Sequence, residues 1–177
     1  MTTATELQNS QPKGAITSVT VTLEVKAEDL FPHETNDQYA INQFTQISDG
    51  KSTVFFGKPK QEFETEVNLN TQVDWIAKPN DPSGADKDYE VKITGYLFKA
   101  VSNSTNVLGP FYISRNASGQ VRGEVENKPE HLYKENYYAI IFEILWVSKG
   151  ETHEFILDPK LKVNPKKDLP FPEPSRG

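Results

Sequence analysis

The segment 137–147 reads YYAIIFEILWV, and as an extended strand it is apolar on both faces. Alternate residues of a strand point to opposite sides. One side here carries Tyr138, Ile140, Phe142, Ile144 and Trp146. The other carries Tyr137, Ala139, Ile141, Glu143, Leu145 and Val147. A strand that is apolar on both sides must be covered on both sides. Two coverings satisfy that demand: a central place beneath other elements of the same chain, or a second subunit on the second face. Tyr137, Ala139, Ile141, Leu145 and Val147 are therefore the candidate self-association residues. The run is long enough to be helical, but its aromatic and β-branched residues favour strand.

Much of the remaining chain alternates with period two, the mark of half-buried strands. Val19, Val21, Leu23, Val25 and Ala27 alternate with Thr20, Thr22, Glu24 and Lys26. Phe63, Thr65, Val67 and Leu69 alternate with Glu62, Glu64, Glu66 and Asn68, and Val73, Trp75 and Ala77 follow. Tyr89, Val91, Ile93, Gly95 and Leu97 form another set. Strands at 43–47 and 54–56 flank Ser48-Asp49-Gly50-Lys51, a hairpin-turn composition. Short strands are expected at 111–113, 121–125 and 153–157, with one helical turn within 129–136. No segment shows sustained helical periodicity, and there is no repeat of the solenoid or propeller kind. The expected fold is an all-β, antiparallel β-sandwich of about eight to ten short strands.

The 177 residues suffice for one ordinary domain. The apolar periodicity confines it to 15–163. Residues 1–14 are expected to be a disordered polar tail, and 164–177, with prolines at 165, 170, 172 and 174, an extended one. Lys plus Arg number 19 against 25 Asp plus Glu, a formal charge of −6. That excess argues against nucleic acid, where affinity comes from neutralised phosphates. Cysteine is absent, which excludes disulfides, thiolate metal sites and cysteine nucleophiles. No run approaches the roughly 20 apolar residues of a membrane helix, and no membrane partner is expected. The opening MTTATELQNSQPKG lacks the basic start and apolar stretch of a secretory signal, so a cytoplasmic protein is expected. The Asn103 and Asn116 sequons then read as chance matches in polar loops.

Catalytic signatures are missing. His33, His131 and His153 are far apart in sequence and read as structural or solvated. There is no nucleophile elbow, no HExxH and no phosphate-cradling glycine loop. Asp81, Asp86 and Asp88 crowd one loop and are the candidate metal ligands, with calcium the cation that oxygen-rich loops suit. The spacing is not that of an EF-hand, Lys87 stands among the acids, and solvated acids are the commoner reading. Trp75 and Trp146 offer sugar-stacking faces, yet both run in phase with aliphatic residues, which points to core packing. Tyr96, Tyr112 and Tyr133 are the candidate ligand-binding aromatics, together with Tyr137 as rings expected to reach a surface. Lys58 and Lys60, and Lys166-Lys167, are too few to make a basic groove.

Three stretches resemble the bacterial inclusion-body protein family that includes PixA and AidA. They are VTVTLEVKAEDL at 19–30, VNLNTQVDW with the later DYEVKITGYLFK, and YYAIIFEILWV with FILDPKLKV. The departures are Lys26-Ala27 and Thr71-Gln72 at places where the family pattern has acidic residues. Met1 is the only methionine, so a methionine-storage role is unsupported. The resemblance implies a small cytoplasmic β-sandwich that accumulates or self-associates, with lectin-like sugar binding suggested for some members. It carries over no catalytic residue and no cofactor. The sequence thus predicts a non-enzymatic protein that acts by binding or as a homo-oligomer. A carbohydrate-binding module, with or without calcium, is the rival, and a hydrolase triad assembled from distant loops is the remote one.

Overall fold

The structure is a computed structural model that describes residues 17–109, 112–114 and 120–164. Eleven strands are arranged in two sheets. The first sheet holds β1 (Ser18–Val25), β2 (Thr45–Ser48), β3 (Thr53–Val54), β5 (Gln72–Pro79), β7 (Tyr112–Ser114) and β8 (Gln120–Glu124), in the order β3-β2-β1-β5-β8-β7. The second holds β4 (Glu64–Val67), β6 (Tyr89–Phe98), β9 (Glu135–Trp146), β10 (Glu151–Leu157) and β11 (Lys160–Val163). The all-β sandwich read from the period-two patterns is the observed architecture.

Strand β9 organises the second sheet. Along one side it pairs with β6, from Trp146 opposite Tyr89 to Tyr138 opposite Phe98. Along its other side β10 covers Ile140 to Trp146, and β11 covers Glu135 to Tyr137. Asp158-Pro159 is the break between those two lanes, because proline supplies no ladder donor. Strand β4 then closes the order on the far side of β11.

Among the named strands the pairing is antiparallel except at two places, where β1 runs parallel to β5 and β4 parallel to β11. A parallel neighbour needs a long crossover and not a hairpin. That requirement explains why these partners are distant in sequence and why alternation alone suggested a wholly antiparallel sheet.

The inward residues of both sheets make one core. Val21, Leu23, Val25, Val73, Trp75 and Val121 meet Tyr138, Ile140, Phe142, Ile144, Phe155 and Leu161, all essentially inaccessible. Trp75 is fully buried, as its phase predicts, and Trp146 packs at the core margin.

Two short helices interrupt the expected strands. Helix α1 (Ala27–Leu30) starts where the first alternating run was expected to continue, and α2 (Gln38–Phe44) takes Gln43 and Phe44 from the expected 43–47 strand. The Asp37 carboxylate caps α2, accepting the Ala40 N–H at 2.9 Å. Ala40 and Ile41 point into the core. Seven residues are too few to display a 3.6 period. The 48–51 turn is a true hairpin turn: Asp49 Oδ1 accepts the N–H groups of Lys51 and Ser52, and Gly50 takes φ 82°. The expected helical turn appears as a 3₁₀ turn, Pro129–His131. Phe111, Asn116, the 1–14 tail and 165–177 lie outside the described residues.

Candidate functional site

The outer face of the second sheet follows from register. Residues 137, 139, 141, 143, 145 and 147 of the β9 run point outward, because their even-numbered neighbours fill the core. The face divides into two halves. Around Tyr137 it is polar: the Tyr137 hydroxyl donates to Glu135 Oε2 at 2.9 Å, and Lys160 bridges Glu64 at 2.9 Å and Glu135 at 3.7 Å. The rest is apolar around Ala139 and Ile141 and mixed toward Trp146, where Lys92 and Glu154 flank Glu143 and Glu90 and Thr152 flank Leu145. Leu97 lies opposite Ala139, Gly95 opposite Ile141, and Ile156 opposite Ile141 on the other side.

The five candidate self-association residues therefore differ in kind. Ala139 is already covered, at 4% exposure. Ile141 lies over Gly95, where an added Cβ would stand 3.1 Å from its Cδ1. Leu145 is half-buried and Val147 is 48% exposed. Leu97, 54% exposed, lies opposite Ala139 in the apolar middle and was missed because β6 alone gives no hint of which strand it joins. An ion pair, Lys92 with Glu143 at 2.9 Å, stands between that middle and Leu145. An open groove of about 330 Å³ runs beside that pair, between Ile76 and Ala77 of β5 and Leu145 of β9.

The acidic loop holds itself together. Asp86 is 2% exposed, and its two oxygens accept the Glu28 N–H at 2.9 Å and the Asp81 N–H at 3.0 Å. Asp81 Oδ2 accepts the Ala85 N–H at 3.3 Å. Asp88 accepts the Trp146 indole N–H at 2.7 Å and the Ser148 hydroxyl. The Ser148 hydrogen bond, with the indole behind it, holds the Asp88 carboxyl below its ordinary range. The three carboxylates thus serve separate donors of their own chain. Among the described residues no three His, Cys, Asp or Glu side chains gather as a metal site.

The candidate aromatics also separate. Tyr96 does not present a free ring: it stacks on Tyr138 at 5.0 Å and its hydroxyl accepts from Asn136 Nδ2 at 2.9 Å. Burial pushes its phenol well up. The β6 bulge after Ile93 turns this tyrosine inward, a detail the alternation could not reveal. Tyr112 lies on β7, and its side chain is outside the described residues. Tyr133 is 69% exposed with φ 63°, anchored by its N–H to the Val163 carbonyl at 2.7 Å.

The histidines are scattered. His33 pairs with Asp37 at 3.3 Å, and His153 stacks on Phe31 with ring centres 4.2 Å apart. His131 is 6% exposed. Lys60, read from sequence only as one of too few cations for a basic groove, is buried, at 1% exposure. Among the described residues no helix is long and apolar enough to cross a membrane. Comparison of the sequence with models of known protein families finds no match, and a search of curated proteins finds none either.

Proposed function

We propose that this protein acts without catalysis, as a self-associating β-sandwich of the PixA/AidA inclusion-body type in the cytoplasm. The observation that carries the reading is the apolar middle of the outer sheet face, where Leu97 stands exposed beside Ile141 and Ile156, with Leu145 and the exposed Val147 further along the β9 run. The occupant is a second copy. Lys92 and Glu143, paired within one chain at 2.9 Å, carry both signs of charge, so a two-fold axis beside them sets each ammonium against the other copy's carboxylate as well. Covering one leucine side chain is worth about 1.5–3 kcal/mol, so a few such residues suffice for a reversible contact. Analytical ultracentrifugation tests this. The full chain is expected to sediment as an oligomer at high concentration, and Leu97→Glu with Leu145→Glu as a monomer. A wild-type chain that stays monomeric at every concentration overturns the reading.

A lectin-like reading has one observation in its favour, the Tyr133 ring. A non-glycine residue in the left-handed region is uncommon and tends to mark functional positions, and here it presents an aromatic face to solvent. A glycan array with and without a chelator decides it. Binding lost in Tyr133→Ala supports it, and silence in both conditions removes it.

A further inference from the structure

Among the described residues, strand β1 is only half partnered on one side. It pairs with β5 from Ser18 to Val25, but with β2 only from Thr22 onward. Hydrogen bonds fix which way each backbone group points. The Thr17 and Val25 carbonyls accept from Gln72 and Asn80 at the β5 end, and the Lys26 N–H donates to Phe44 on the β2 side. Backbone groups alternate sides along a strand, so Ser18 and Thr20 direct their N–H and C=O groups into the lane that β2 leaves empty. On the far wall, the Phe63 and Val67 carbonyls serve β11, which turns the Glu66 backbone toward the same space. The result is a slot of about 540 Å³ along Thr17 to Thr22, ended by the 48–51 turn and walled by 66–68. An unpaired strand edge beside a slot is a template for an added strand.

We propose that this slot is a strand-acceptor site and that its occupant is the chain's own segment 5–8. Sixteen residues precede Thr17, which itself lines the slot. Gln11-Pro12-Lys13-Gly14 has the composition of a reversing turn, proline at the second position and glycine where φ turns positive. A Pro12-Lys13-Gly14 loop sets Gln11 opposite Ala15. That register puts Gln8 and Glu6 opposite Ser18 and Thr20, the two residues with backbone groups to offer. Leu7 then lies against the half-buried Val19, and Thr5 against Val21. The lane ends there, because Ser48 already faces Thr22. Covalent attachment favours this segment over any free strand, since a short linker supplies an effective concentration of about millimolar. The site is separate from the outer face of β9, and its test does not depend on that reading.

Engineered cysteines give the test, since the chain has none of its own. Leu7 and Val19 occupy a non-hydrogen-bonded pair, with Cα atoms expected about 4.5 Å apart, within disulfide reach. Leu7→Cys with Val19→Cys is expected to close within one chain under mild oxidation at least about tenfold faster than the off-register control, Gln8→Cys with Val19→Cys. In the unmodified chain the Ser18 and Thr20 amides are expected to exchange slowly, and to lose that protection when residues 1–13 are removed. Equal closure in both cysteine pairs, or amides indifferent to the truncation, overturns the proposal. Disulfide-linked dimers from the matched pair overturn it too, by assigning the strand to a neighbouring copy.

Discussion

The Trp75 indole N–H donates to the Tyr138 hydroxyl at 3.1 Å, joining β5 to β9 across the buried interior. Both side chains are fully enclosed, and their rings meet edge-on at 5.6 Å. Tyr138→Phe keeps the ring and removes the acceptor, so it should lower unfolding stability by about 1 kcal/mol. Tyr138→Ala opens a cavity as well and should cost about 3–5 kcal/mol. Urea denaturation measures both. Equal losses in the two variants would show that the ring contributes nothing beyond its hydroxyl.

Lys60 predicts an unusual alkaline response. Its ammonium donates to the carbonyls of Asn42 and Phe55 at 3.1 Å and Lys58 at 2.5 Å, and burial pushes it down to about 8. An unfolded lysine holds its proton to about pH 10.4. Between those values the unfolded chain binds more protons, so stability rises with pH. Below about pH 8 this contribution is flat. Burial moves the Tyr138 phenol the other way, upward, so the folded chain keeps a proton that unfolded tyrosine loses near pH 10. Stability should therefore climb from about pH 8, peak near pH 10 and fall above it. Lys60→Met should abolish the rise, and thermal melts across pH 7–11 check it.

The acidic loop should be indifferent to calcium. Asp86 already satisfies two backbone donors, from Glu28 and Asp81. Asp86→Ala leaves both unpaired and should destabilise by about 2–3 kcal/mol. The wild-type melting temperature should be the same in millimolar calcium and in chelator. A calcium-dependent rise would reopen the loop as a metal site.

Charge exchange across the proposed contact gives a reversible test. Lys92→Glu places like charges beside Glu143 in both copies and should weaken association by about tenfold or more. Lys92→Glu with Glu143→Lys restores opposite signs and should restore association. Sedimentation at two salt concentrations measures the effect. Failure of the double variant to recover would mean that the pair does not face a partner.

The fold was legible where one face is wet and one is dry. Residues 19–25, 73–77 and 137–147 declared their strands and their inward phase because burial imposes period two. The β1–β5 and β4–β11 partnerships were not legible, since parallel neighbours leave no turn between them in sequence. Helix α2 hid in its brevity. Of the candidate site, Leu145 and Val147 were visible as the second apolar face of β9, whereas Leu97 became part of it only through register. Tyr96 misled because the β6 bulge reverses its phase, and the burial of Lys60 was illegible because a lysine beside Pro59 gives no sign of three carbonyls waiting for it.

The parallel match of β4 with β11 has a temporal consequence. Glu64 must wait for Lys160, so strands β5 to β10 are all translated before the second layer can close. Pairings so remote in sequence form slowly. Strand β4 would be held open until β11 arrives, which makes a late strand the one that licenses compaction of an early one.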